Sequence, residues 1–214
     1  MLLVGEGPDD IGDSELEGAL SPRRQGVVEI LLSRLLRDRF AVEPLISTRA
    51  IKDLKTVKGL PKKVAALLLT SEFEHIVVVL DRDAAPERYE ELRQGLALVP
   101  DQGKRCVVGL AVEMLEAWLL ADKGSWKKVF DRVPSALPTR PEDCWGVKSS
   151  PRHPKTLLRL ALEECNCATI KEQSNAKREL ARAVDLNTLE SSCPQGFGQI
   201  VEAIHSQWFP WVRE

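Results

Sequence analysis

The sequence predicts an α/β fold: a mainly parallel sheet flanked by helices, with a C-terminal helical extension. Three observations predict it. Short apolar runs alternate with helix-length amphipathic stretches through residues 1–121. The runs at 76–80 and 106–110 carry no charged residue, as expected of strands covered on both faces. From Lys123 the strand pattern stops and only helical periodicity returns.

Taken in order, Leu2, Leu3 and Val4 form a first short strand, and residues 22–40 an amphipathic helix with Ser21 as N-cap and Pro22 at its first position. Residues 42–46 read as a second strand, 61–69 as a helix, 76–80 as a third strand and 85–96 as a helix. Residues 106–110 make the fourth strand, and a helix over 112–121 begins almost at once. An alternating strand and helix order of this kind predicts parallel strands with crossover helices. Beyond it, Pro134, Pro138, Pro141, Pro151 and Pro154 interrupt a polar, loop-rich connector, and helices are expected at 155–164, 170–184 and 198–207. The expected division is a domain over 1–122, then a connector and helical cap over 123–214.

Composition narrows the function classes. With 30 basic against 32 acidic residues, the chain is not a uniformly basic nucleic-acid binder, and its ordinary apolar fraction argues against wholesale disorder. The five cysteines are odd in number and lack CxxC spacing, so neither a disulfide framework nor a zinc finger is expected, and a reducing cytoplasmic setting is. The apolar opening reaches Glu6, Asp9 and Asp10 too soon for a signal peptide, and no membrane span is expected.

In a parallel sheet every strand delivers its last residue to one edge, where ligands usually bind. Acids collect at those positions here. Glu6-Gly7-Pro8-Asp9-Asp10 follows the first strand, Asp81-Arg82-Asp83 the third, and Glu113 and Glu116, three residues apart on one helix face, the fourth. Crowded carboxylates repel unless a cation neutralises them, and a divalent ion such as magnesium takes oxygen ligands. Asp81 and Asp83 are therefore candidate Mg2+ ligands, and Gly7 allows a sharp turn beside Glu6. Alone, D-x-D after a strand also reads as a solvated loop or as a cap for the helix expected at Ala85, and Glu116 also reads as a solvated residue.

The E-G-x-x-D of Glu6 to Asp10 and the D-x-D of Asp81 to Asp83 resemble the Toprim domain, the metal-dependent fold of topoisomerases, bacterial primases, ribosomal-RNA maturases and OLD-type nucleases. A narrower resemblance lies in Glu116-Ala117-Trp118-Leu119-Leu120-Ala121-Asp122, His153-Pro154-Lys155 and Cys193-Pro194. It points to a group of uncharacterised prokaryotic Toprim-like proteins often found beside ATPases in loci resembling phage defence or mobile elements. Two departures are visible: Gly5 stands where many relatives have a bulky residue, which would loosen the turn aiming Glu6, and Cys193-Pro194-Gln195-Gly196-Phe197 is spaced differently from the usual C-P-S-F.

The resemblance implies a Toprim-like, Rossmann-like sheet and metal-dependent phosphodiester hydrolysis of DNA or RNA with Mg2+ or Mn2+. It implies Glu6 as a ligand or acid/base, Asp10, Asp81 and Asp83 as ligands, and Glu113 or Glu116 as a holder of a second ion. A separately encoded ATPase is the implied partner. Topoisomerase-like strand breakage would need a tyrosine, and Tyr89 is the only one, on the helix after D-x-D, where packing or solvent contact is the plainer role.

Arg49 opens a basic segment in which Lys52, Lys55, Lys58, Lys62 and Lys63 stand against Asp53 alone. Such a cluster binds phosphates by releasing counterions, or it is a solvated loop and helix face. Lys155 is a further candidate for a cation near the acids. Trp118 reads as core, and the Trp208-Phe209-Pro210-Trp211 cluster as a docking element for its own domain or a partner. Two other readings stand beside the nuclease: a haloacid-dehalogenase-like phosphatase, disfavoured because its nucleophilic Asp follows the first strand, and a non-catalytic subunit that binds metal or nucleic acid and regulates an ATPase.

Overall fold

The computed structural model describes residues 1–13, 24–145 and 150–211. In chain order its main elements are β1 (Leu2–Gly5), α1 (Pro8–Ile11), α2 (Val27–Phe40), β2 (Ser47–Ala50), α3 (Leu60–Thr70), β3 (Ile76–Asp81), α4 (Arg88–Ala97) and α5 (Pro100–Gly103). There follow β4 (Cys106–Ala111), α6 (Leu115–Leu119), α7 (Lys123–Phe130), α8 (Pro154–Glu164), α9 (Ile170–Ala183), α10 (Leu186–Ser192) and α11 (Gln199–Trp208). The four strands form one parallel sheet in the order β2-β1-β3-β4, and the protein is an α/β fold with helices after the sheet. In this order β1 and β3 flank the point at which the strand sequence reverses direction.

The chain divides into two compact units, Met1–Leu80 with Ala85–Gly109 and Ile200–Glu214, and Asp81–Ala84 with Leu110–Gln199. In the first unit, Leu3, Val4, Val77, Val78 and Val107 are buried on the strands. Helix α2 supplies Val28, Leu31, Leu32 and Leu35 at helical spacing, and α3 supplies Val64, Leu67 and Leu68. Each fully buried side chain of this kind contributes roughly 1.5–3 kcal/mol through loss of its apolar surface to solvent. In the second unit Trp118 and Trp126 are fully buried, Trp118 meeting Phe197 edge-on at 5.5 Å.

Several expected boundaries shift for local reasons. The second strand forms at Ser47–Ala50, not at 42–46. Pro44 has no N–H to give a ladder, Leu45 is exposed, and this edge strand buries only Thr48, so an apolar run is a poor guide to it. Ser21 and Pro22 lie outside the described residues; helix α2 begins at Val27, with Gly26 as N-cap, because Gln25 is held in an antiparallel bridge to Gly12. Residues 123–130 are not connector but helix α7, whose N-cap Asp122 accepts the Gly124 N–H at 2.7 Å. Helix α10 was not expected; Asp185 caps it through the Thr188 N–H.

Gly5 does not loosen the turn before Glu6. It is buried, and a Cβ there would fall 2.4 Å from Cγ2 of Ile11, so the missing side chain is what lets α1 pack against the end of β1. In the terminal aromatic cluster, Phe209 stacks on Phe40 at 4.4 Å and Trp208 meets His75 edge-on at 4.6 Å, whereas Trp211 stays exposed.

Two substitutions test the packing of the first unit. Gly95 on α4 faces α3, and an added Cβ would lie 2.7 Å from Cβ of Val64 and 2.9 Å from the Pro61 carbonyl. Gly95→Ala is expected to lower stability by about 1–3 kcal/mol in urea denaturation. Ala41 ends α2 in the left-handed region at φ 53°, so Ala41→Gly is expected to raise stability by about 1 kcal/mol.

Candidate metal centre

The strand ends carry the acids. Glu6 leaves β1 directly, and Asp81 is the last residue of β3, the strand hydrogen-bonded beside it. One carboxylate oxygen from each of Glu6, Asp81 and Asp83 lies within 4.8 Å of the other two, the only such set of His, Cys, Asp or Glu among the described residues. Glu6 and Asp81 are half-buried and Asp83 is exposed. At that spacing two unit charges repel by roughly 1 kcal/mol in water and three to four times that near a protein surface. A cation is the direct remedy. One is in place already, since the Arg88 guanidinium donates to Oε1 of Glu6 at 3.0 Å.

The turn after β3 is tightly tied within its own unit. The Leu115 N–H at the start of α6 donates to Oδ1 of Asp81 at 2.8 Å. The Arg82 N–H donates to the Ala111 carbonyl and the Asp83 N–H to the Glu113 carbonyl, both at 3.0 Å. Asp83 and Ala84 both adopt left-handed backbone, at φ 50° and φ 57°. The next helix, α4, starts only at Arg88, with Glu87 at its N-cap and no side-chain cap, so neither Asp of D-x-D caps it. Pro86 disfavours helical backbone at Ala85 and accounts for that delay.

Of the other expected acids, none joins the set of three. Glu113 is buried; it pairs with Arg82, and its Oε2 accepts the Ala84 N–H at 2.9 Å. Glu116 is buried and paired with Lys177 of α9 at 3.2 Å. Asp10 sits half-buried in α1, outside the set. On the basic side, Lys52, Lys55, Lys58 and Lys62 are exposed, and Lys155 is exposed at the start of α8. Lys63 differs. It is half-buried and, with Leu60, Leu80, Arg88 and Glu91, lines a cavity of about 230 Å3 that Glu6 also enters.

Sequence reasoning missed Arg88, Lys177 and Glu142. The first two carry no motif and lie 82 and 61 residues from their acidic partners. Glu142 is a buried carboxylate that accepts the backbone N–H groups of Gln195 at 2.9 Å and Gly196 at 2.6 Å. The Cys193-Pro194-Gln195-Gly196-Phe197 segment is thus a turn built on a carboxylate; a Cβ on Gly196 would fall 2.9 Å from Oε1 of Glu142. Tyr89 is partly exposed on α4, and Trp118 belongs to the core.

Fold and strand-end acids together define an α/β protein with a carboxylate cluster at the reversal point of a parallel sheet. Comparison with protein-family models, with curated proteins and with solved structures gives no match to this chain. No helix among the described residues is long and apolar enough to cross a membrane.

Burial pushes the Glu142 carboxyl above the usual range, against the pull of the Gln195 and Gly196 N–H groups and of Arg82. A carboxyl that binds its proton more tightly when folded stabilises the fold below its unfolded pKa, and that contribution is lost as pH rises through the raised value. Stability measured by urea unfolding is therefore expected to fall from the ordinary Glu value, about pH 4.3, upward through this window. Glu142→Gln should remove that component of the slope.

Proposed function

We propose that this chain is a Toprim-type phosphodiesterase that hydrolyses DNA or RNA with Mg2+ or Mn2+ held by Glu6, Asp81 and Asp83. The observation that carries the reading is the convergence of these three carboxylates where β1 and β3 flank the sheet's reversal point. Oxygen donors alone suit a hard cation, and three carboxylates, two half-buried and one exposed, leave positions for water and phosphate oxygens. A bound ion supplies charge stabilisation at the phosphoryl oxygens and a more acidic water.

The chain's own residues do the rest. Asp81, fixed at one oxygen by the Leu115 N–H, presents a carboxylate of set orientation. Glu6 serves as ligand or as proton acceptor for the attacking water, and Arg88 holds its side chain in place. Arg88 and Lys63 at the cavity beside Glu6 offset the charge of a phosphodiester, while exposed Lys52, Lys55 and Lys58 hold the backbone of the nucleic acid. The odd number of cysteines and their lack of CxxC spacing support a reducing cytoplasmic setting. We place the enzyme in phage defence or mobile-element biology beside a partner ATPase, on the E-A-W-L-L-A-D resemblance.

Glu6→Gln is expected to reduce turnover by about 100-fold or more, with nucleic-acid affinity changed less than about threefold. Neutralising Lys52, Lys55 and Lys58 together is expected to weaken binding on every sequence and to flatten the salt dependence by up to about 0.9 log units per lost duplex phosphate contact. Cleavage of supercoiled DNA, single strands and structured RNA, with affinity at several salt concentrations, measures both. Wild-type protein that cleaves none of these with either ion, alone or with the neighbouring ATPase, overturns the hydrolase reading in favour of a regulatory subunit.

A further inference from the structure

We propose that Glu113 is the positioning residue of this metal centre: through its carboxylate and its carbonyl it holds the turn Asp81–Ala84 in the left-handed backbone that keeps Asp83 beside Asp81. The inference rests on the metal reading above and replaces a second-ion role for Glu113 with a mechanical one.

The turn needs an external hold. Asp83 and Ala84 are consecutive left-handed residues, and neither is glycine. Left-handed backbone costs an L-residue roughly 1–2 kcal/mol, and alanine, unlike aspartate, has no polar side chain to recover any of it. Relaxation of Asp83 toward ordinary backbone would swing its own carboxylate away from Asp81, and relaxation of Ala84 would release the far end of the turn that holds Asp83. The segment after β4 prevents this at successive points: the Glu113 carbonyl takes the Asp83 N–H at 3.0 Å, and Glu113 Oε2 takes the Ala84 N–H at 2.9 Å. Glu113 Oε1 pairs with the guanidinium of Arg82, the residue between the two aspartates.

The Glu113 carboxylate is itself buried, with 7% of its surface exposed, so it must be satisfied by donors, and both of its oxygens are engaged by this turn. It lies outside the three-oxygen set. A ligand to a second ion would have to give up these donors, whereas a brace uses them as they stand.

The two roles separate by rescue. A brace can be replaced by removing the strain it opposes, because glycine adopts left-handed backbone freely; a lost ligand cannot. Mn2+ is titrated calorimetrically into wild type, Glu113→Ala, Glu113→Gln, Ala84→Gly and Glu113→Ala combined with Ala84→Gly, with melting temperatures of the ion-free proteins recorded alongside. Expected are an unchanged number of ions bound, a loss of affinity of about tenfold or more in Glu113→Ala, and a smaller loss in Glu113→Gln, which keeps an acceptor for the Ala84 N–H. Adding Ala84→Gly should restore most of the affinity. If Glu113→Ala does not fold, Glu113→Gln with and without Ala84→Gly carries the same comparison.

Loss of one bound ion without rescue, or wild-type affinity in Glu113→Ala, overturns the proposal and leaves the metal reading standing. Wild-type protein that binds no Mn2+, with Asp81→Asn and Asp83→Asn behaving alike, overturns both.

Discussion

The parallel pairing of β1 with β3 is the constraint on which the acidic edge depends. Leu2, Leu3 and Val4 stand opposite Ile76, Val77 and Val78, and all six are buried. Both strands are apolar at successive positions and covered on both faces, so each run is bounded by the first charged residue after it, Glu6 on one strand and Asp81 on the other. The hydrophobic pattern thus fixes where each strand stops. With Val4 opposite Val78, Glu6 and Asp81 leave the sheet at the same level, and carboxylates far apart in sequence meet without any attraction between them. The free energy of burying aliphatic side chains holds like charges together.

Counter-charges then decide which of these acids can do chemistry. Glu113 and Glu116 are buried and spoken for by Arg82 and Lys177. A buried carboxylate with a matched cation is costly to unpair, so these two are poorly placed to change partners. Glu6 is different. Its pair with Arg88 is partly solvated, with the two side chains 36% and 25% exposed, and surface pairs of this kind are worth at most about 1 kcal/mol. A divalent ion or a phosphate can compete for either member.

What the sequence disclosed followed from how local each signal was. The strand at 76–80 is legible because five apolar residues in a row admit little else, and the arrival of Glu6 and Asp81 at one edge follows from the parallel direction of the strands, whereas their adjacency comes from the order β2-β1-β3-β4. The edge strand Ser47–Ala50 is not legible, since a strand with a neighbour on one side has little to bury and Pro44 and Leu45 mislead. Helix α7 is obscured by the prolines that follow it, although Asp122 was a readable cap. The left-handed turn at Asp83 and Ala84 has no compositional mark, because it is imposed by Glu113 across 29 residues of chain. Arg88 escapes for the same reason. Long-range pairs are written in the fold and not in any short motif.

The first unit is discontinuous in sequence: its final segment is Ile200–Glu214, and the long stretch Leu110–Gln199 is interposed. Within that unit Gly109 of β4 accepts Ile200 of α11 so closely that a Cβ there would fall 2.2 Å from Cγ1 of the isoleucine. As the chain leaves the ribosome, the sheet's last strand therefore waits for about ninety residues to be made before its covering helix exists. Through that interval an apolar strand lacks part of its cover. The polypeptide must tolerate a half-dressed sheet while its inserted unit is synthesised, and the burden of avoiding aggregation falls on the nascent state and not on the finished fold.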